Sequence, residues 1–219
     1  MSKQSYPTDE GAKAALLSCG ARLYQRGFVA ANDGNLSIKV ADDQIWATPT
    51  GVSKGFMSAD MLVKLDLTGR VLAGNRMPSS EIGMHLRIYQ ENPAAGGVVH
   101  AHPPVSTAFA AAGLPLDQPV LQEAVVQLGT IPLAPFALPG TPAVADSIAP
   151  YCRTHRGVLL EYHGAVTWGD TLEQAQHRME CLEQYATVLL HLRTLGCSRV
   201  MPPALEKQLI GLRPRWGIQ

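Results

Sequence analysis

The 219 residues contain no long apolar run, no basic stretch and no paired cysteines, and each absence closes off a class of protein. No apolar segment approaches the roughly 20 residues that a membrane-spanning helix needs. Met1 to Glu10 is polar and lacks the apolar core of a signal peptide. Lys plus Arg equal Asp plus Glu at 18 each, without clustering, so the sequence gives no footing for nucleic-acid binding. Cys19, Cys152, Cys181 and Cys197 are scattered without a C-x-x-C pair, and three of them fall in or beside helix-like segments, as buried free thiols do. The expectation is a reduced, cytoplasmic protein. Charged residues are only 16% of the chain, a hint that a partner subunit covers part of the surface. Internal repeats, low-complexity tracts and an interdomain linker are also missing, so residues 1–219 read as one domain, with residues 1–10 as a flexible N-terminal segment.

What is present alternates between strand and helix signals. The Ala/Leu-rich Gly11 to Arg26 predicts a helix stopped by Gly27, and Asn35 to Val40 and Gln44 to Thr48 predict two strands around Asp42-Asp43. Leu62 to Leu67 predicts a further strand. Ile82 to Glu91 is helical until Asn92-Pro93 breaks it, Gly97 to His102 is a strand, and Pro104 to Ala112 starts a helix. The Pro-rich stretch from Pro115 to Pro142 predicts loops with short strands such as Leu133 to Phe136. Ala143 to Cys152 is a candidate helix. Gly157 to Tyr162 and Ala165 to Trp168 form a strand pair around His163-Gly164. Leu172 to Leu195 is the clearest helix, with Leu172, Ala175, Met179, Leu182, Ala186, Leu189 and Leu190 at helical spacing. The mixture predicts an α/β layered fold.

His100-Ala101-His102 is the sharpest local feature. Residues i and i+2 of a strand share a face, so both imidazoles can reach one ion. Pro103-Pro104 ends the strand at once, which places the pair at a sheet edge beside a loop. Two strand histidines that bind nothing have the same signature. His163, where a strand breaks before Gly164, is a possible third ligand, and three protein ligands with one open position is the common catalytic zinc arrangement. His85, His177 and His191 fall in predicted helices, and His155 in a polar loop, which makes them weaker candidates. Glu81, at a helix start in Pro78-Ser79-Ser80-Glu81, suits either the helix dipole or a general base beside a metal. Hydroxyls and free amides at a helix start can also take an anion, as can the small-residue turns Gly34-Asn35-Leu36-Ser37 and Thr50-Gly51-Val52-Ser53.

Together these pieces resemble the class II aldolase/adducin-head family, and within it the L-fuculose-1-phosphate aldolase type. The resemblance runs from about Leu16 to Leu195 and rests on Gly34-Asn35-Leu36-Ser37, Thr48-Pro49-Thr50-Gly51, Pro78-Ser79-Ser80-Glu81, Val98-Val99-His100-Ala101-His102 and His163-Gly164, in the right order and spacing. It implies a three-layer sandwich with a mixed, mainly antiparallel sheet between helices. It further implies zinc held by His100, His102 and His163 with Glu81 completing the resting site and serving as acid/base. Asn35, Thr50, Gly51, Ser79 and Ser80 match the positions that hold the substrate phosphate. Manganese and cobalt suit the same donors. The implied reaction is cleavage of a ketose 1-phosphate to dihydroxyacetone phosphate and an aldehyde through a metal-stabilised enediolate, in a homotetramer with active sites between subunits.

One departure bears on the reaction. The fuculose enzyme uses a tyrosine near mid-chain at the aldehyde end, and the matching stretch, Val120 to Val125, has none; the place falls to Leu121, with Glu123 as a conceivable substitute. Decarboxylation of a 3-oxo-tetronate 4-phosphate type sugar acid, and pentulose-phosphate 4-epimerisation, use the same metal chemistry. A non-catalytic module like the adducin head would be marked by loss of the histidines, and all three are retained.

Overall fold

The computed structural model describes residues 5–216. Eight strands, β1 (Asn35–Ala41), β2 (Gln44–Ala47), β3 (Val63–Asp66), β4 (Val71–Ala73), β5 (Gly97–Ala101), β6 (Leu133–Ala134), β7 (Gly157–Leu160) and β8 (Gly164–Gly169), form one sheet in the order β4-β3-β2-β1-β5-β8-β7-β6. Every pairing is antiparallel except that of β6 with β7. Side-chain alternation sorts the strands onto two cores. Leu36, Ile38, Val99, Ala101, Leu159 and Ala165 face helices α1 (Asp9–Gln25), α3 (Pro104–Ala111), α4 (Gln122–Gln127) and α6 (Leu172–Thr194). Val98, Val158, Leu160, Val166 and Trp168 face α2 (Ile82–Glu91) and α5 (Pro142–Ile148). The three-layer arrangement with a mixed, mainly antiparallel sheet is the one expected.

α1 begins earlier than its sequence pattern suggests. Thr8 accepts a hydrogen bond from the Gly11 amide at 3.1 Å, and Asp9 and Glu10 occupy the first turn, where carboxylates offset the exposed amides. The polar N-terminal segment therefore supplies a helix cap, and the part of it in residues 1–4 lies outside the described residues. α6 buries Leu172, Ala175, Met179, Leu182, Ala186 and Leu189 along one stripe, with Tyr185 added; Leu190 is exposed instead. The Ala143 to Cys152 segment divides into α5 and a short 3-10 turn, Ala149–Tyr151. Among the described residues no helix is long and apolar enough to cross a membrane.

Three elements are not foreshadowed. β4 is wholly exposed and so lacks alternation. α4 is six residues long inside the Pro-rich stretch, and it places Glu123 in a helical first turn rather than on a loop or strand edge. α7 (Pro203–Leu212) buries only Leu209. One expectation is corrected outright: His100 and His102 do not lie at a sheet edge. β5 runs between β1 and β8 in the middle of the sheet, and the two prolines end it on the sheet's rim, because Pro104 opens α3 immediately.

The seam between β5 and α6 leaves no room for a side chain at Gly97. A Cβ there would stand 2.4 Å from Leu172 Cα and 2.5 Å from Leu172 N, both backbone atoms. Gly97→Ala is expected to lose about 2–4 kcal/mol through overpacking, read as a lower urea midpoint at unchanged slope. Gly83→Ala, in α2 with open space at its Cβ, is expected to be neutral or to gain up to about 1 kcal/mol.

Candidate metal centre

The antiparallel order brings the strand ends of the metal candidates to one rim. β1 starts there at Asn35, β2 ends at Ala47, β5 ends at Ala101, β7 ends at Leu160 and β8 starts at Gly164, with Asn35 opposite His100 and Ala101 opposite Ala165. His100 follows Val98 on the α2 face and is fully buried. His102 lies one residue past the strand and is tied down by its own amide, which donates to Phe28 O at 2.9 Å. His163 sits in the β7–β8 turn, its amide bonded to Leu160 O at 2.9 Å, beside Tyr162 in the left-handed region at φ +59. That conformation is uncommon for a bulky side chain and marks a constrained turn. Gly164 is required next: a Cβ would stand 2.6 Å from His102 Cδ2.

The three imidazoles converge. Their ring centroids are 4.8–4.9 Å apart, and one ligand atom from each lies within 4.8 Å of the others. His100 Nε2 and His102 Nε2 are 3.1 Å apart, while Glu81 Oε2 is 3.3 Å from His100 Nε2 and Oε1 is 3.4 Å from His163 Nε2. The far nitrogens are held from behind. His100 Nδ1–H donates to Ala165 O at 2.9 Å, which sets the tautomer that leaves the Nε2 lone pair free; His102 Nδ1 is 3.4 Å from Asp33 Oδ2. Glu81 Oε1 is buried without a well-aligned hydrogen-bond donor. Nitrogen lone pairs and a carboxylate oxygen gathered this closely repel one another unless a cation lies among them, so the donor set fits a divalent metal.

The electrostatics agree. Burial alone would raise the Glu81 carboxyl, but contacts with His100 and His163 more than offset it and hold the group well below the usual carboxylate range. Burial, with repulsion from His100 and His163, pushes His102 down to about 4, and burial with His100 pushes His163 down as well. Ligating imidazoles must be neutral, and these two are kept so.

A layer behind Glu81 is not apparent in sequence. His85, set aside above as a helix residue, is fully buried, and burial followed by repulsion from His100 pushes it down to about 3. Tyr89 Oη lies 2.9 Å from Ser37 Oγ, and Ser37 Oγ lies 2.7 Å from His85 Nδ1. His85 Nε2 is 2.5 Å from Asn35 Oδ1, and Asn35 Nδ2 donates to Glu81 Oε2 at 2.9 Å. Donors and acceptors match along the whole line if neutral His85 carries its proton on Nε2. The available signal was spacing: Glu81, His85 and Tyr89 recur every four residues, one face of a helix. Asn35 is thereby engaged at both ends of its amide, with one N–H still to give.

The remaining candidates surround the rim. Thr50 and Gly51 are exposed, Ser79 is buried and Ser80 exposed. Pro49 bridges Pro78, Thr50 N donates to Met77 O at 3.1 Å and Ser79 N to Thr48 O at 3.3 Å, so the two loops run side by side. Ser79 Oγ accepts from Glu81 N at 3.2 Å.

Residues 14–190 match the family model described as Class II Aldolase and Adducin N-terminal domain. The chain belongs to this family. Class II aldolases are metal-dependent, and the three-histidine group is where this member can hold an ion. Curated 3-oxo-tetronate 4-phosphate decarboxylases are similar at 32–34% identity; that of Pectobacterium atrosepticum is 32% identical over 189 residues, covering 84% of this chain and 86% of the relative. The L-fuculose phosphate aldolase of Methanococcus vannielii is 34% identical over 164 residues, 75% of this chain and 87% of its own. The crystal structure of YgbL from Escherichia coli superposes with a TM-score of 0.85 at 29% identity, covering 92% of this chain and 99% of that one.

Two outcomes are expected of this class II aldolase family member. Purified protein should carry about one divalent metal ion per chain; EDTA should lower its melting temperature, and His163→Ala should abolish the bound metal, all read by metal analysis and thermal melts. His85 titrates lower when folded than when unfolded, so its contribution is present above pH 6.5 and is lost as pH falls toward 3. In EDTA-treated protein, the stability lost between pH 7 and 5 should shrink by about 2 kcal/mol in His85→Gln, measured by urea unfolding.

Proposed function

We propose that the chain is a metal-dependent carbon–carbon lyase that decarboxylates a sugar acid phosphate of the 3-oxo-tetronate 4-phosphate type. The observation that carries this choice is Leu121, a half-buried apolar residue at the place that the resemblance to the fuculose enzyme assigns to a tyrosine. Aldol cleavage must move a proton off the hydroxyl of the departing aldehyde. Decarboxylation releases carbon dioxide with no proton transfer on the leaving fragment. The names of the decarboxylase relatives point the same way. Aldol cleavage of a ketose 1-phosphate is the second reading, supported by the L-fuculose phosphate aldolase relatives.

His100, His102 and His163 would hold the ion, taken as zinc, with manganese or cobalt suiting the same donors. When bound, it supplies Lewis-acid stabilisation of negative charge on the substrate's oxygens. The C–C bond to the carboxylate breaks, carbon dioxide leaves, and the electron pair stays on the sugar as an enediolate. Glu81 delivers one proton from solvent to that carbon, which gives dihydroxyacetone phosphate. The contacts with His100 and His163 hold the Glu81 carboxyl down, so Glu81 becomes a better base when it moves away from them. The line from Tyr89 through Ser37, His85 and Asn35 fixes the direction in which Glu81 points. Asn35, with its spare amide hydrogen, joins Thr50, Gly51, Ser79 and Ser80 as the set proposed for the phosphate, since the Thr50-Gly51 and Ser79-Ser80 loops present amides and hydroxyls beside the start of α2. A single catalytic domain in a cytoplasmic homotetramer, with sites at subunit interfaces, completes the reading. Exposed Met77, Phe136, Leu138 and Tyr162 support a covered surface near this rim.

Zinc-loaded protein given a 3-oxo-tetronate 4-phosphate should release carbon dioxide and dihydroxyacetone phosphate in equal amounts, and EDTA should stop it. Glu81→Gln should lower kcat by about 10²–10⁴-fold. Dihydroxyacetone phosphate appearing with an aldehyde, from a ketose 1-phosphate, would move the protein to the aldolases. No turnover and no bound metal would sink both readings.

A further inference from the structure

Lys54 is a buried cation that the proposed chemistry leaves unused. It is 2% exposed and opens a 3-10 turn, Lys54–Phe56, packed against α1. Its Nζ donates to Asn32 O at 2.8 Å and to Val52 O at 2.5 Å. Among the described residues no carboxylate oxygen lies within 4 Å of it, and Asp33 is the acidic group whose field reaches it. Burial pushes the ammonium down to about 8, which still leaves it charged at neutral pH. An ammonium held inside a protein without a counter-ion is costly, and carbonyl dipoles only partly offset that cost.

The two carbonyls identify what Lys54 joins. Asn32 precedes Asp33, which contacts His102, and Gly34-Asn35, where β1 starts. Val52 follows Thr50-Gly51. The first loop is under strain: Ala31 takes φ +45, which an alanine adopts only when its surroundings impose it. The Nζ–Asn32 bond, one residue on, is a tie that can impose it. A single side chain therefore bridges the loop beside the metal centre and the loop assigned above to the phosphate, and it brings the positive charge that neither loop otherwise contains.

We propose that Lys54 is a positioning residue that latches the Asn32–Asn35 and Thr50–Ser53 loops together and supplies the buried positive charge for a phosphate bound between them. This rests on the phosphate reading of those loops. Loss of the latch affects phosphate binding, and the histidines keep their metal. A purely structural lysine would change stability without separating the two.

The test uses zinc-loaded full-length protein, with inorganic phosphate as the calorimetric probe and the phosphorylated substrate for kinetics. Lys54→Met is expected to weaken phosphate binding and raise KM by about tenfold or more, with zinc content unchanged and kcat within about twofold. Lys54→Arg should recover part of the loss. If Lys54→Met does not fold, Lys54→Gln, which keeps a donor without the charge, serves for the same comparison. Unchanged phosphate affinity and KM in a folded variant would overturn the proposal, as would a fall in kcat alone. Wild-type protein that binds zinc but no phosphate would remove the phosphate reading and this inference together, and would leave the metal centre standing.

Discussion

The antiparallel pairing of β1, β5 and β8 is the constraint on which everything else at this site depends. It sets Asn35 across from His100 and brings the β7–β8 turn, with His163, to the strand end that carries His102. Because side chains alternate along a strand, a slip of one residue in β5 would turn His100 into the α6-side core and bring Val99 to the metal rim. Val98 on one face of β5 and Val99 and Ala101 on the other fix the register by filling two different cores, so hydrophobic packing and ligand placement are one requirement.

Around that frame the site is built from opposed charges and matched hydrogen bonds. Three imidazoles and a carboxylate are crowded at distances that only a cation makes comfortable, and His100, His102 and Glu81 are each held from behind by a group of the right polarity. The line running from Tyr89 to Glu81 is buried and hydrogen-bonded at every link, which makes it stiff. On the solvent side, the Thr50-Gly51 and Pro78-Ser79-Ser80 loops and the start of α2 carry the small and hydroxyl residues that suit an anion, and Lys54 ties the first of these loops to Asn32. In the proposed reaction the metal end would fix the reacting carbon and the loop-built end would fix its distance from the phosphate.

Much of this was legible in residue order. The H-x-H on a β-branched strand, His163 before a glycine and Glu81 after two serines each had a local pattern, and their combination identified the family. His85 was not legible as a partner of the site, because a histidine inside an amphipathic helix looks the same whether it packs in a core or supports a carboxylate. Its i+4 relation to Glu81 and Tyr89 gains meaning only when β1 supplies Asn35 and Ser37 opposite. α4 and α7 escaped notice for a different reason: short helices with few buried residues carry little periodicity.

By itself, the sequence determined the layered α/β class, the strand and helix identities of the long elements, and the donor atoms available to a metal. Those follow from local propensity and from spacing along the chain, which are properties of neighbours in sequence. The tertiary structure alone decided that β5 is central, that the histidines meet on a rim with Glu81, that His85 and Ser37 stand behind them, and that Lys54 reaches Asn32, 22 residues away. These are contacts between segments distant in sequence, set by strand order and burial, and no local pattern encodes which distant partner a buried polar group will find.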